Sequence, residues 1–310
     1  MGQKNRNLPR FGLTRERLHY IGKDLIHLLE IGSIQCIQPL YLAMKGTDFI
    51  LYRMGFIQTT NSGIEVILVL AFYVVYSAVR NRFGSESVEP AEAFVNAERV
   101  IDLEEAMGLY LEPGLQAAFL DHRWFIQFWN LFYGTFHFGL TVFTLIWIYR
   151  RHPHLYARQR STFLCTTGLA VVGFGLFPLM PPRLLSDCGE FGACLAALYP
   201  FVDTVSDIGG LWSFDSGTMQ RVSNQYAAMP SLHFAWAAWC TVALWPIVAS
   251  RTGRILVVAY PLATLFAVVV TGNHFWIDAV GGLVVLAAGH VLSGLLVVGW
   301  RRWQTPARMP

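Results

Sequence analysis

His274-Phe275-Trp276-Ile277-Asp278 opens an apolar run, Ala279-Val280-Gly281-Gly282-Leu283-Val284-Val285-Leu286, that continues to Trp300 without another acid or cation. Such a run is too long for an ordinary core helix and close to the roughly 20 residues that cross a bilayer's hydrocarbon. Met229-Pro230-Ser231-Leu232-His233 stands in the same way at the head of a second apolar segment, Leu232 to Ser250. Two histidines and a carboxylate at the mouths of membrane-length segments point to phosphoryl chemistry at a membrane surface.

The rest of the chain agrees with a bilayer setting. Hydrophobic residues make up 54% and charged residues 14%, and the mean hydropathy is +0.43, beyond what a soluble domain normally carries. Further apolar runs at Gly63 to Val79, Phe125 to Tyr149, Thr162 to Met180 and Ile255 to Gly272 bring the expected spans to six. Leu25 to Leu42, interrupted by Glu30, Gln35, Gln38 and Pro39, reads as an interfacial helix. The expected fold is an all-α polytopic membrane protein: six transmembrane helices, interfacial helices and an outer capping loop. Residues 1–62 form a cytoplasmic or interfacial N-terminal segment, 63–300 the six-span catalytic domain with outer loops about 80–123 and 181–230, and 301–310 a cytoplasmic tail.

Charge sets the expected orientation. Lys4, Arg6, Arg10, Arg15, Arg17 and Lys23 precede the first span; Arg150, Arg151, Arg158, Arg160, Arg251, Arg254, Arg301, Arg302 and Arg308 fall on the same side if there are six spans. Short cytoplasmic loops are enriched in such cations. The alternate loops carry Glu86, Glu89, Glu98, Asp102, Glu104, Glu105 and Glu112, and then Asp187, Glu190, Asp203, Asp207 and Asp215. Both termini are therefore expected in the cytoplasm of a plasma or inner membrane, with the acidic loops outside. The first twenty residues are basic and polar with no apolar stretch, so no cleavable signal peptide is expected. A net charge of +3 gives no reason to expect nucleic acid as a partner.

Two outer segments add organisation. In Pro90 to Gln116, apolar residues alternate with acids until Pro113-Gly114, as in helices lying along the interface with the acids on a solvated face. Pro181 to Ala228 is long for a structureless connection and reads as a cap over a site. Cys188 and Cys194 share that loop, where a disulfide and two free thiols are both open readings. No Cys/His spacing resembles a metal site, and no cofactor is called for.

Pro181-Pro182-Arg183 closes the third span, Pro230-Ser231-Leu232-His233 opens the fourth and Asn273-His274 joins the fifth to the sixth, so all three arrive at the outer face. His274 and Asp278 lie one helical turn apart, where a carboxylate holds one ring nitrogen and leaves the other nucleophilic; a simple capping pair has the same spacing. His233 suits an acid beside the helix start, where Ser231 offers a hydroxyl and an amide to an anion. His137, with Gln127 and Asn130, is polar within the second span; it either faces the site or bonds a neighbouring helix. Tyr133, Trp236 and Trp276 read as aromatic belts and packing.

In combination these segments resemble the three signature motifs of the type 2 phosphatidic acid phosphatase superfamily, in the branch containing fungal inositol phosphorylceramide synthases. Asn224-Gln225-Tyr226-Ala227-Ala228-Met229-Pro230-Ser231-Leu232-His233 is similar to the wording of many bacterial members, and the likeness covers about Trp124 to Val298. The resemblance implies that His274 attacks phosphorus to give a phosphohistidine, Asp278 orients it, His233 protonates the leaving group and Arg183 binds phosphate. Three positions depart from the family: Leu176 and Val268 stand where it carries cations, and Leu232 where its phosphatases have glycine. Asn224, Gln225, Asn273 and Arg221 are candidate replacement donors or, equally, loop residues satisfying backbone groups; Arg183, Ser231, Asn273 and Gln225 are the expected phosphate-binding set. Fewer cations suit a phosphodiester better than a dianionic monoester, which favours a phosphotransferase over a simple phosphatase. The expected partners are a lipid phosphate or phosphodiester in the bilayer and a polar hydroxyl acceptor or water. A non-catalytic lipid-binding or transport protein, or an enzyme of isoprenoid diphosphates, is the alternative.

Overall fold

The computed structural model describes Val74 and residues 88–209 and 224–304, with side chains through 296. Apart from Val74, the expected first span, the N-terminal segment and Arg221 lie outside the described residues. Ten α-helices follow in chain order: α1 (Pro90–Ala106), α2 (Glu112–Leu120), α3 (Arg123–Leu131), α4 (His137–Arg151), α5 (Pro153–Leu176), α6 (Pro182–Leu185), α7 (Thr204–Asp207), α8 (Leu232–Leu244), α9 (Arg251–Val270) and α10 (Trp276–Gln304). A π-helical turn, Phe132–Phe136, joins α3 to α4. Among the described residues there is no strand; Leu179 and Ala227 form a single isolated bridge.

Among the described residues, three helical stretches are long and apolar enough to cross a membrane: Arg123–Arg151, Arg251–Val270 and Trp276–Leu296. Their outer surfaces are apolar, with Leu256 65% and Val284 61% exposed. A soluble protein does not leave such continuous faces in water, whereas lipid covers them at no cost. The other two expected spans differ from the sequence reading. Helix α5 begins at Pro153, earlier than Thr162, and ends at Leu176, because Pro178, Pro181 and Pro182 follow. Helix α8 stops at Leu244 and not at Ser250: Trp245 still has helical dihedrals, but Pro246 after it has no N–H to carry the helical ladder on.

The helices converge at one end of the bundle. Helix α10 packs along α5 and α8, and α8 along α9. Within the α5–α10 seam, Thr162 Oγ1 and Ser293 Oγ pair at 2.9 Å, the kind of polar contact that fixes helix pairs where no hydrophobic effect separates lipid from side chain. Gly282 sets how close α8 comes to α10: a Cβ there would lie 2.6 Å from the Ser231 carbonyl oxygen. Gly282→Val should therefore lower stability by about 2 kcal/mol, the usual scale of overpacking. Thermal unfolding in detergent measures this. Gly294→Val, where nothing lies within 4 Å of an added Cβ, is the control expected to stay near wild type.

Above this end lies a core of Ala93, Ala97, Val100 and Ile101 from α1 packed with Leu179, Met180, Leu184, Leu185, Phe201, Tyr226 and Phe275. Helix α1 and the connection between α5 and α8 are thus built onto the residue next to His274. Cys188 and Cys194 are disulfide-bonded within that loop.

Candidate active site

Asp278 is fully buried on the first turn of α10. Its Oδ2 lies 3.1 Å from His274 Nδ1 and accepts the Phe275 amide at 2.9 Å. With Nδ1 donating to the carboxylate, His274 presents the lone pair of Nε2, and Ser231 Oγ stands 3.3 Å from that atom. Helix α8 is tied to the same turn, because the Ser231 amide donates to the Asp278 carbonyl at 2.9 Å. Ser231 also caps α8, its Oγ accepting from the Phe234 amide. The amide the sequence offered to an anion is therefore already used, and the free first-turn donors of α8 are those of Leu232 and His233.

His233 is half-buried, its ring centroid 5.8 Å from that of His274. Behind it the π-helical turn reorients two aromatic groups. Tyr133 stacks on His233 at 4.4 Å, and His137 lies 5.0 Å from it. His137 Nδ1 pairs with Tyr260 Oη at 3.0 Å, so this residue does both things the sequence left open: it bonds a neighbouring helix and flanks the site. Tyr133, expected in aromatic belts and packing, packs on the His233 ring. A π-bulge is a common way to aim side chains at functional positions, and nothing in the hydropathy of Phe125 to Tyr149 signals it.

A second group of side chains lies beside the first. Arg183, buried on α6, donates from Nε to Asn273 Oδ1 at 3.2 Å, from Nη2 to Gln225 Oε1 at 2.6 Å and from Nη1 to Asp203 Oδ2 at 2.7 Å. Its amide donates to the Gly272 carbonyl at 2.8 Å. Gly272 has a φ of +72°, a left-handed turn in which glycine carries no Cβ penalty, and a side chain there would approach Gln116 and Arg183. Asp203 also accepts from the amides of Val205 and Ser206, which fixes its carboxylate toward Arg183. A cavity of about 350 Å³ opens beyond Arg183, Gln225 and Asp203, lined also by Ser186, Asp187 and Asp207. His274 and His233 are not among its walls.

Seven of the residues singled out from sequence occupy two adjoining clusters: His274, Asp278, Ser231 and His233 in one, Arg183, Asn273 and Gln225 in the other, with Asn273 next to His274; Asn224 instead accepts the Tyr226 amide at 3.1 Å. Asp203, which pairs with Arg183 in the second cluster, was passed over by sequence reasoning. Of the family cation positions, Leu176 is 80% exposed at the end of α5 and Val268 is buried behind the Asn273 turn.

Two acids of α1 and α2 are a further departure from the sequence reading. Glu104 and Glu112 were expected on a solvated face, but both are fully buried. Glu112 Oε1 accepts the Trp276 amide at 3.1 Å, and Glu104 Oε1 accepts the Ile277 amide at 2.8 Å.

Compared with known protein families, the chain matches the family model described as PAP2 superfamily over residues 98–292, more than half its length. No curated protein and no solved structure matches it.

Proposed function

The chain belongs to the PAP2 superfamily, and from this we propose that it is a membrane lipid phosphotransferase or phosphatase working through a phosphohistidine on His274. The observation that carries the reading is the buried dyad: Asp278 on Nδ1, and Nε2 turned to Ser231 and His233. An imidazole held in one tautomer by a carboxylate is an activated nucleophile. Its Nε2 attacks phosphorus, the bond from phosphorus to the leaving oxygen breaks, and protonated His233 gives its proton to that oxygen. A hydroxyl acceptor or water then attacks the phosphohistidine, surrenders its proton to neutral His233, and restores free His274. Asp278 stabilises the positive charge that the imidazole carries in between.

Arg183, Asn273 and Gln225 are the phosphate-binding group in this reading, with Ser231 shifting its hydroxyl from Nε2 to a phosphate oxygen. The charge of Arg183 is half-committed to Asp203, and the positions of Leu176 and Val268 add none. This favours a phosphodiester, or another singly charged phosphate, over a dianionic monoester. It also supports transfer to a polar hydroxyl, in keeping with the branch that contains inositol phosphorylceramide synthases. The cations of Arg150, Arg151, Arg158, Arg251 and Arg254 sit at the helix ends away from the site, and the disulfide lies on the loop of Arg183. Both fit six spans, cytoplasmic termini and a site facing outward.

Incubating the purified protein with labelled lipid phosphates and diesters, with and without a polyol acceptor, tests the class. Released inorganic phosphate identifies a phosphatase and a new phospholipid a transferase; saturable lipid binding with no turnover refutes the enzyme. Asp203→Asn keeps the caps on Val205 and Ser206 while freeing Arg183. The kcat/KM ratio of monoester to diester should then rise roughly tenfold, the scale of one charge-assisted hydrogen bond. An unchanged ratio removes the argument from Asp203.

A further inference from the structure

Three consecutive amides at the start of α10 donate to three different carboxylates. Phe275 bonds Asp278 at 2.9 Å, Trp276 bonds Glu112 at 3.1 Å and Ile277 bonds Glu104 at 2.8 Å. Two of these carboxylates come from outside the bundle, Glu104 from the last turns of α1 and Glu112 from the first residue of α2. Both are fully buried, and while Oε1 of each accepts an α10 amide, Oε2 of each meets no hydrogen-bond donor among the described residues. Two carboxylates on adjacent amides satisfy those oxygens only if one carries a proton, and a buried pair of like charges has no other inexpensive arrangement.

We propose that Glu104 and Glu112 are a proton-sharing clamp that positions the catalytic turn, fixing Trp276 and Ile277 so that Asp278 and His274 keep their register. The proposal rests on the His274–Asp278 reading above. The two glutamates touch no reacting atom and act through the α10 amides. An acid at a helix start is favoured by the exposed amides there, yet three full charges around one turn would repel one another. A single shared proton reduces the charge while leaving every amide with an acceptor. The clamp also gives the interfacial helices a task, since α1 and α2 hold the site from outside the span that carries it.

The proton is held tightly. Burial first, then the hydrogen bond with Glu112 and the charges of Glu112 and Asp278, push Glu104 up to about 9, against the opposing pull of the Ile277 amide. The other titratable groups around the pair are Asp278 with His274 on α10, Glu105 on α1, and Tyr110 and Tyr199 from the loops. Burial moves both phenols further up from their ordinary value, away from this range. A carboxyl with a raised folded-state pKa contributes stability in full below its unfolded value of 4.5, and that contribution is lost as pH rises to about 9.

The test compares wild type with Glu104→Gln and Glu104→Ala in detergent, following unfolding temperature and lipid-phosphate turnover from pH 5 to 10. Gln accepts from Ile277 and donates to Glu112 at every pH. Its unfolding temperature should therefore stay flatter than wild type as pH rises, and its kcat should lack the wild-type fall centred near pH 9, with KM little changed. At pH 7.5 its kcat should stay within about threefold of wild type, while Glu104→Ala should lose about tenfold or more in kcat. Superimposable pH profiles for wild type and Glu104→Gln overturn the clamp, as does a Gln variant as damaged as the Ala one. If no variant turns over any lipid phosphate, the catalytic reading fails by itself, and the unfolding profiles still decide the clamp.

Discussion

A His274→Ala protein that melts in detergent near the wild-type temperature should form no phosphoenzyme and turn over lipid phosphates at the background rate. The fold survives because Asp278 keeps its Phe275 amide and Ser231 keeps its bond to the Asp278 carbonyl. In the proposed mechanism the chemistry does not survive, because Nε2 of His274 is there the atom that bonds phosphorus and neither neighbouring imidazole is placed to replace it. Among the described residues His233 has no carboxylate partner, and His137 is occupied through Nδ1 by Tyr260. Loss of a covalent nucleophile removes every step that depends on it, so the drop should be about 10⁴-fold or larger. The measurement is a rapid quench with phosphate-labelled lipid, looking for acid-labile, alkali-stable label on the protein. Full activity in this variant, or label that persists, sinks the role given to His274.

Local signals made the dyad legible. His274 and Asp278 are one turn apart in one helix, so their contact needed only the helical period and the apolar run that follows. The long spans around Phe125 to Tyr149, Ile255 to Gly272 and Trp276 onward were equally legible, because composition alone decides them. Where proline follows, as the cluster after Leu176 and Pro246 after Leu244, the helix stops on backbone geometry while the hydropathy continues, and the expected ends were several residues off.

Long-range satisfaction was not legible. Glu104 and Glu112 look like solvated acids among apolar neighbours until the amides of Trp276 and Ile277, more than 160 positions away, are seen to need acceptors. Asp203 had no local signature either, since its value lies in a contact with Arg183 on the far side of the disulfide loop. The Arg183–Asp203 pair nevertheless agrees with the missing cations at Leu176 and Val268. Adding no cation at two positions and pairing a third are separate ways of lowering the positive charge around one phosphate.

His233 separates leaving-group chemistry from attack. If it is the acid, His233→Ala should slow turnover of a lipid phosphate, whose leaving alkoxide is strongly basic, by about 10²- to 10⁴-fold. With a nitrophenyl phosphodiester the same variant should lose far less in the first step, because nitrophenolate departs without a proton, and a burst of product should precede slow turnover. The burst arises because His233 is also the base that activates the acceptor, so a phosphohistidine formed on His274 accumulates. Tyr133, stacked on His233 at 4.4 Å, gives the control. Tyr133→Phe keeps the ring face that orients the imidazole and should stay near wild type on both substrates. A His233 variant equally impaired on both would assign the residue to substrate positioning, and the proton would have to come from another group.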